Sequence, residues 1–292
     1  MMNSKISFNE NNYNVPWVES PFFYEILKKK KISKFLKNLA INYHEKGYVI
    51  INLKLSDKFI NKILSDIDNK LNEGNVKKNP SIYHYNESPR IVEAWKFSSE
   101  ISILANNKKI INLLKFFYNK KPLPISTINF IKGTEQPMHS DYMHFASTPE
   151  RFLAGAWVAL ESTNKFNGPL TVVPKSHLLP ITDFNMLNCK KPDSITSLEK
   201  NYRVYESFVK KIITTNKLNL KQIHIPKGYA IIWAANLLHG GSKMLKNKLT
   251  RKSQVIHYHF SGCKKYYNPG FSVPEDGIYA LRKLEIVKNK LK

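Results

Sequence analysis

The spacing of apolar positions divides the chain near residue 120. Between about residues 20 and 120, apolar side chains recur every three or four residues, which is the period of an amphipathic helix. Ser56 or Asp57 is a suitable N-terminal cap for one of these helices. The predicted helical segments are FFYEILKKKKISKFLKNLAINYHEKG, SDKFINKILSDIDNKL and NKKIINLLKFFY, and YVIINL is predicted as a short strand that interrupts them.

From about residue 121, short β-rich runs are separated by Gly, Pro and Asn, which predicts an antiparallel β core over about 121–267. The runs are PISTINFI, FLAGAWVAL, GPLTVVP, KQIHIP, YAIIWAA and SQVIHYHF. A helical period interrupts them at 200–218 and returns at 274–292, which predicts a helical insertion and a C-terminal helix. We therefore predict a single domain over 1–292, of the α+β class with a mainly β core and a mostly helical flank over about 1–120.

Composition favours a cytoplasmic globular protein. The chain has 292 residues with 42% hydrophobic content, enough for a full core. No apolar run reaches the roughly 18 residues of a membrane helix, and the first residues lack the apolar segment of a secretory signal. Cys189 and Cys263 are far apart in sequence, and we interpret both as reduced thiols.

The net charge of +24 raises the question of a nucleic-acid partner. The excess is diffuse, because only Arg90, Arg151, Arg203, Arg251 and Arg282 are arginines and the lysines are scattered among many asparagines. This pattern indicates a bias in residue usage, so a nucleic-acid partner is not expected. The charge remains compatible with a small anionic substrate.

The stretch PMHSDYMHF contains a candidate metal-binding pair, His139 and Asp141. Residues two apart in an extended chain project from the same face, so both side chains can reach one ion. His239, which follows the apolar run YAIIWAA, is the candidate for a third ligand. Two histidines and one carboxylate on one face of an octahedral ion leave three positions open, as in non-haem Fe(II) oxygenases.

A rival pair, His257 and His259 in VIHYHF, has the same two-residue spacing and could build an all-histidine site. A carboxylate ligand and an anchor for an anionic cosubstrate distinguish the first set. Arg251, at the head of the strand after His239, can clamp the distal carboxylate of a 2-oxoacid, with the hydroxyl of Ser242 beside it.

Three separated motifs carry a family resemblance: QPMHSDYMHFASTPERFLAGAWVALE, NGPLTVVPKSH and GYAIIWAANLLHGGS followed by LTRKSQVIHYHF. In this order they resemble the phytanoyl-CoA dioxygenase family of Fe(II)/2-oxoglutarate oxygenases, over about residues 90–267. The resemblance implies a double-stranded β-helix of the jelly-roll or cupin kind. It also implies oxidation of a C–H bond by O2, with conversion of 2-oxoglutarate to succinate and CO2.

Residue by residue, His139, Asp141 and His239 match the family's metal triad. Arg251 and Ser242 match the pair that holds the distal carboxylate of 2-oxoglutarate, and Trp157 matches an aromatic residue of the cosubstrate pocket. In the family pattern the serine follows the distal histidine by two residues, whereas Ser242 follows His239 by three. We interpret the doubled glycine as one inserted residue at the turn.

Five further residues are weaker candidates for contact with a substrate: Tyr142, His144, Trp233, Asn236 and Arg90. Asp141 argues against a halogenase, which needs a small residue in place of the carboxylate. The expected function is therefore hydroxylation, or another oxidation, of a small molecule. The alternative is a nucleic-acid-directed oxygenase or binding protein on a cupin-like scaffold.

Overall fold

The computed structural model describes residue 9 and residues 13–73, 82–85 and 88–289. Within these ranges the chain forms helices and a largely antiparallel set of sheets. The α-helices are α1 Phe23–Lys29, α2 Lys34–Lys46, α3 Asp57–Asn72, α4 Ser99–Ala105, α5 Lys108–Tyr118 and α6 Ile195–Thr215. None of these helices combines the length and the apolar composition that a bilayer crossing requires.

The strands form three sheets in which every described pairing is antiparallel. They are β1 Tyr48–Asn52, β2 Ile82–Tyr85, β3 Ser88–Val92, β4 Pro122–Phe130, β5 Ala146–Thr148, β6 Leu153–Ala159, β7 Leu170–Val172, β8 Lys221–Ile223, β9 Tyr229–Ala234, β10 His239–Gly241, β11 Ser253–Phe260 and β12 Lys265–Tyr267. The large sheet has the order β1-β9-β6-β11-β4-β3-β2, the small sheet the order β10-β7-β8, and β12 pairs with β5.

The central strands β6, β9 and β11 of the large sheet are buried on both faces, which explains their continuous apolar character. Along β6, Ala154, Ala156 and Val158 belong to a core cluster with α3 and α5. Trp157 and Ala159 point the other way, into a second cluster with residues of the small sheet. The alternation along this strand therefore separates a helix-covered face from a face that meets the small sheet.

Local capping explains several helix starts. Ser56, not Asp57, caps α3, and its side chain accepts a 3.2 Å hydrogen bond from the Phe59 amide. The helical insertion predicted at 200–218 is α6, which begins at Ile195 because Ser194 and Ser197 form a reciprocal capping box.

The hairpin of β2 and β3 lies within the region predicted to be mostly helical, and it extends the large sheet at one edge.

The predicted C-terminal helix at 274–292 is wrong over the described residues. Only Pro274–Asp276 forms a short 3-10 turn, and the chain then runs without a helix to residue 289, with residues 290–292 outside the described part. Leu281 forms a β-bridge with Tyr267, and the Val287 amide donates to the Pro124 carbonyl. These contacts with the β core engage backbone groups that a helix would need for its own hydrogen bonds.

Candidate active site

Two backbone hydrogen bonds bring the first and last members of the predicted triad together. His139 and His239 form an isolated antiparallel bridge, in which each amide donates 2.9 Å to the other's carbonyl. Asp141 opens a 3-10 turn just after this bridge. The three side chains are buried, and one potential ligand atom from each lies within 4.8 Å of the others.

Backbone carbonyls fix which nitrogen of each triad imidazole is free. His139 Nδ1 lies 2.9 Å from the Pro137 carbonyl, and His239 Nδ1 lies 2.9 Å from the Leu237 carbonyl. A carbonyl can only accept, so Nδ1 must carry the proton and Nε2 keeps its lone pair. This donor set, two imidazole nitrogens and a carboxylate oxygen, fits Fe(II).

The Asp141 carboxylate has one engaged oxygen and one oxygen that faces imidazoles. The Trp233 indole donates a 2.7 Å hydrogen bond to Asp141 Oδ2. Asp141 Oδ1 lies 3.6 Å from His239 Nε2 and 3.5 Å from His257 Nε2. Burial would raise the pKa of Asp141, but the neighbouring imidazoles outweigh it and hold this pKa below its usual value. Oδ1 is therefore the oxygen left for a metal.

Burial also keeps His139 neutral. Its pKa is lowered to about 3, first by burial and then by the nearby His239. A neutral imidazole is the form that binds a metal ion.

Gln136, which the sequence analysis did not select, contacts the triad. Its Nε2 lies 3.3 Å from His139 Nε2, and its Oε1 accepts a 3.1 Å hydrogen bond from Arg90 Nη2. The side-chain amide therefore connects a candidate ligand to a buried arginine. In the sequence, the indication that Gln136 contacts the triad is its position three residues before His139.

A cavity of about 430 Å³ lies over the triad, between the large and small sheets. Arg90, Arg251 and Arg282 line it, and Glu93 and Asp141 are the carboxylates among the described residues that do so. Arg282 and Glu93 were not selected from the sequence. The described lining thus carries one more guanidinium group than carboxylate, which favours the binding of anions.

Arg251 lies at one end of this cavity and is 2% exposed. Its guanidinium carbon lies 5.5 Å from the Trp157 ring centroid and 5.6 Å from that of Phe130, while Nη1 donates to the Gly168 carbonyl at 3.3 Å. Burial and the neighbouring Arg90 lower the pKa of Arg251 to about 10. Arg251 Nε and Trp157 Nε1 are both buried without a hydrogen-bond partner among the described residues. An unpaired N–H of the guanidinium itself and an unpaired indole N–H near it are suited to an anion.

Ser242, which was predicted to bind the cosubstrate beside Arg251, is not among the described residues that line the cavity. Its hydroxyl makes a short hydrogen bond with the Thr171 hydroxyl on β7. Thr171 pairs with Gly240, whose face of β10 is opposite to that of His239. The extra residue in the turn thus brings the serine to the same side as Thr171, while Gly240 and Gly241 both line the cavity.

The rival pair does not build a second site among the described residues. His257 lines the cavity near Asp141, whereas His259 is fully buried with Nδ1 3.4 Å from the Phe152 carbonyl. The cluster of potential metal ligands in the described chain contains neither of them. Tyr258 points to the opposite side, where its hydroxyl donates to the Ala105 carbonyl.

The weaker candidates divide into two groups. His144, Trp233 and Arg90 line the cavity. Tyr142 does not, because its hydroxyl is buried against that of Tyr267 at 3.1 Å. Asn236 is also outside the cavity, and it donates to the Leu179 carbonyl at 2.8 Å. These two side chains are engaged by other residues of the protein and do not line this cavity.

Known proteins resemble this chain in sequence and in fold. A family model described as phytanoyl-CoA dioxygenase (PhyH) matches residues 43–253. The peroxisomal phytanoyl-CoA dioxygenase of Rattus norvegicus is 25% identical over 193 residues, which cover 64% of this chain and 48% of the rat protein. The chain thus spans about half the length of the curated relatives it matches.

Two solved structures share the fold. EctD from S. alaskensis, in its apoform, has a TM-score of 0.64 at 17% identity and covers 89% of this chain and 87% of its own. The epimerase SnoN, in complex with Fe3+, alpha ketoglutarate and nogalamycin RO, has a TM-score of 0.60 at 18% identity, with 88% and 96% covered.

Proposed function

The chain belongs to the phytanoyl-CoA dioxygenase family, and on that premise we propose that it is an Fe(II)- and 2-oxoglutarate-dependent dioxygenase of a small molecule. The observation that carries the proposal is the convergence of His139 Nε2, Asp141 Oδ1 and His239 Nε2 in a buried cavity. Two imidazoles and one carboxylate oxygen leave open positions on an octahedral Fe(II). Iron bound there would, with 2-oxoglutarate and O2, allow oxidation of a C–H bond, and succinate and CO2 would be released.

The chain's own residues prepare the site before any chemistry. The Pro137 and Leu237 carbonyls orient the two imidazoles, and the Trp233 indole orients the carboxylate of Asp141. Such contacts fix ligand geometry and tune metal affinity. Arg251 supplies a buried guanidinium for the distal carboxylate of 2-oxoglutarate, with Trp157 lining the same end.

Structural neighbours support this assignment of cosubstrate. SnoN was crystallised with iron and alpha ketoglutarate, and EctD with 2-oxoglutarate and 5-hydroxyectoine. Both proteins are thus seen with small molecules, nogalamycin RO and 5-hydroxyectoine, and a nucleic-acid-directed activity is not favoured. We propose hydroxylation as the first reaction to test. The structural neighbours SnoN and SnoK are an epimerase and a carbocyclase, which are other reactions.

We also propose the finer fold description, a double-stranded β-helix of the jelly-roll or cupin kind in a single domain. Two antiparallel sheets that share an apolar cluster and enclose the cavity support it. The cytoplasmic location stays a prediction.

Anaerobic titration tests the proposed function. Fe(II) and 2-oxoglutarate, added together without O2, should give the weak visible charge-transfer band of an iron–keto-acid complex. Asp141→Ala should lose the band, because one of three ligands is gone, while the exposed Asp68→Ala should keep it. A tightly held Zn in a closed four-ligand site, with no band on iron addition, would overturn the proposal.

A further inference from the structure

Arg282 is a cation in the cavity that no acid of the described chain neutralises. It lines the same cavity as the triad, yet it forms no ion pair and its side chain makes no hydrogen bond within the described residues. Its Nε is buried without a partner, and burial lowers its pKa. A partly buried guanidinium without an anion is costly, so this arrangement indicates a ligand that carries one.

The backbone holds Arg282 in place on both sides. Its amide donates 2.8 Å to the Tyr266 carbonyl, and the preceding Leu281 bridges to Tyr267. Five residues later Val287 is 1% exposed and is fixed to the Pro124 carbonyl. The non-helical C-terminal segment therefore delivers this side chain to the cavity from a fixed position.

Aromatic contacts lead from Arg282 to the triad. Its guanidinium carbon lies 4.6 Å from the Phe145 ring centroid, and Phe145 stacks on His257 with centroids 4.7 Å apart. His257 Nε2 is 3.5 Å from Asp141 Oδ1, while His257 Nδ1 is buried without a partner among the described residues. A group bound at Arg282 would thus lie on the His257 side of the triad, with His257 Nδ1 available to contact it.

This end of the cavity is distinct from the end proposed for 2-oxoglutarate. Arg251 precedes β11, and His257 follows it by six residues along the same extended segment. At roughly 3.3 Å per residue, their backbones are about 20 Å apart. Arg251 has Arg90 as its neighbour, whereas Arg282 lies beside Phe145. One small dianion cannot occupy both positions.

Formal charges point to a singly charged ligand. The two charges of Fe(II) together with Arg251 balance Asp141 and the two carboxylates of 2-oxoglutarate. Arg90, Arg282 and Glu93 remain among the described residues that line the cavity, which leaves one positive charge. A phosphate dianion would exceed that charge, and a carboxylate matches it.

We propose that the substrate is a small molecule with a carboxylate, and that Arg282 binds this carboxylate beside His257 while the C–H bond to be oxidised lies over the triad. The inference rests on the proposed function and adds the chemical class of the substrate. Planar guanidinium and carboxylate groups form paired, charge-assisted hydrogen bonds.

Arginine side-chain NMR can test this directly, because the chain has only five arginines. The probe is acetate, titrated into the full chain loaded with Zn(II) as a diamagnetic substitute for iron and saturated with 2-oxoglutarate. Arg282→Gln and Arg282→Lys each assign the Arg282 Nε–H signal by its loss, and the four remaining signals report whether the fold is kept. The exposed Arg203 reports general effects of ionic strength.

Acetate should shift the Arg282 signal saturably and leave the Arg203 signal unchanged. Acetamide, which lacks the charge, should bind at least roughly tenfold more weakly. Parallel shifts of both signals, no shift at Arg282, or equal binding of acetamide would overturn the inference. Tighter binding of inorganic phosphate than of acetate would overturn the carboxylate assignment. If the proposed function itself is wrong, 2-oxoglutarate should not shift the Arg251 signal. This result is distinct from every outcome at Arg282.

Discussion

Trp233 Nε1 donates a 2.7 Å hydrogen bond to Asp141 Oδ2, so the candidate carboxylate ligand is oriented from the neighbouring strand β9. The other carboxylate oxygen is left facing His239 and His257. The indole therefore decides which oxygen of Asp141 a metal can reach.

Trp233→Phe should weaken Fe(II) binding by about 10- to 100-fold, the usual cost of losing a group that orients a metal ligand. Phenylalanine keeps an aromatic ring but removes the N–H donor. Anaerobic competition with a chromophoric chelator measures the affinity. Trp95→Phe is the matched control, because the Trp95 indole also donates to a carboxylate, that of Glu93, which is not among the candidate metal ligands. Equal affinities in the two variants would contradict an orienting role for Trp233.

Gly155 controls the same indole from the adjacent strand. Gly155 and Trp233 are cross-strand partners, and a Cβ atom at Gly155 would lie 2.3 Å from Trp233 Cε2. Gly155→Ala should therefore displace the indole, lower iron affinity and reduce stability by about 1–3 kcal/mol through overpacking.

A double-variant cycle with Gly155→Ala and Trp233→Phe separates these effects. Both changes act on iron through one hydrogen bond, so the double variant should bind iron about as weakly as Trp233→Phe alone. Additive losses of iron affinity would mean that Gly155 influences the site by another route. Urea unfolding of each protein measures its free energy of unfolding, so that the effects on stability can be compared in the same cycle.

Arg251→Ala should weaken 2-oxoglutarate binding by roughly 30-fold to a few thousand-fold. Truncation of one partner of a buried charge pair typically costs about 2–5 kcal/mol, and each 1.4 kcal/mol is about tenfold. Arg251→Lys should recover only part of the loss, because lysine keeps the positive charge but lacks the planar guanidinium that can form two parallel hydrogen bonds. Anaerobic calorimetry with iron present measures the affinity, and iron binding alone should change little.

Ser242→Ala is the informative control for Arg251. The Ser242 hydroxyl is paired with Thr171 outside the cavity, so its removal should leave 2-oxoglutarate affinity within about twofold. A large loss would restore the pairing of Arg251 with Ser242 that the sequence predicted.

The sequence points to the candidate triad because residue type and local spacing carry the information. His139 and Asp141 are two residues apart, His239 follows an apolar strand, and Arg251 stands out in a lysine-rich chain. The structure brings all of them to one cavity. By contrast, the face of Ser242 depends on a single inserted residue in the turn, which reverses the side of a strand.

Arg282 could not be found in this way because its position depends on tertiary contacts. The periodic pattern of residues 274–292 is suited to a helix, but contacts with Tyr266, Tyr267 and Pro124 hold the segment in a non-helical conformation. The local spacing of apolar residues carries no information about hydrogen-bond partners that are distant in sequence. Glu93 was missed for the same reason, since its place in the cavity lining is set by the fold.

Glu19 provides a test that is independent of the metal. Its Oε2 lies 3.0 Å from Arg151 Nη1, yet burial outweighs this ion pair and raises the pKa of Glu19 to about 7 from 4.5. The folded protein therefore binds more protons than the unfolded chain between these two values. The resulting stabilisation is complete below about pH 4.5 and is lost as the pH rises through about 7.

Glu19→Gln should remove this pH dependence, because the amide does not titrate while its oxygen can still accept from Arg151. The difference in unfolding free energy between wild type and variant should shift against the wild type by about 3 kcal/mol from acidic to neutral and higher pH, in proportion to the pKa change. Urea unfolding on both sides of this window measures it. Glu25→Gln, a change of the same kind at an exposed position, is the control for general effects of the substitution on urea unfolding. A difference that shifts in favour of the wild type as the pH rises would mean that the ion pair with Arg151 outweighs burial.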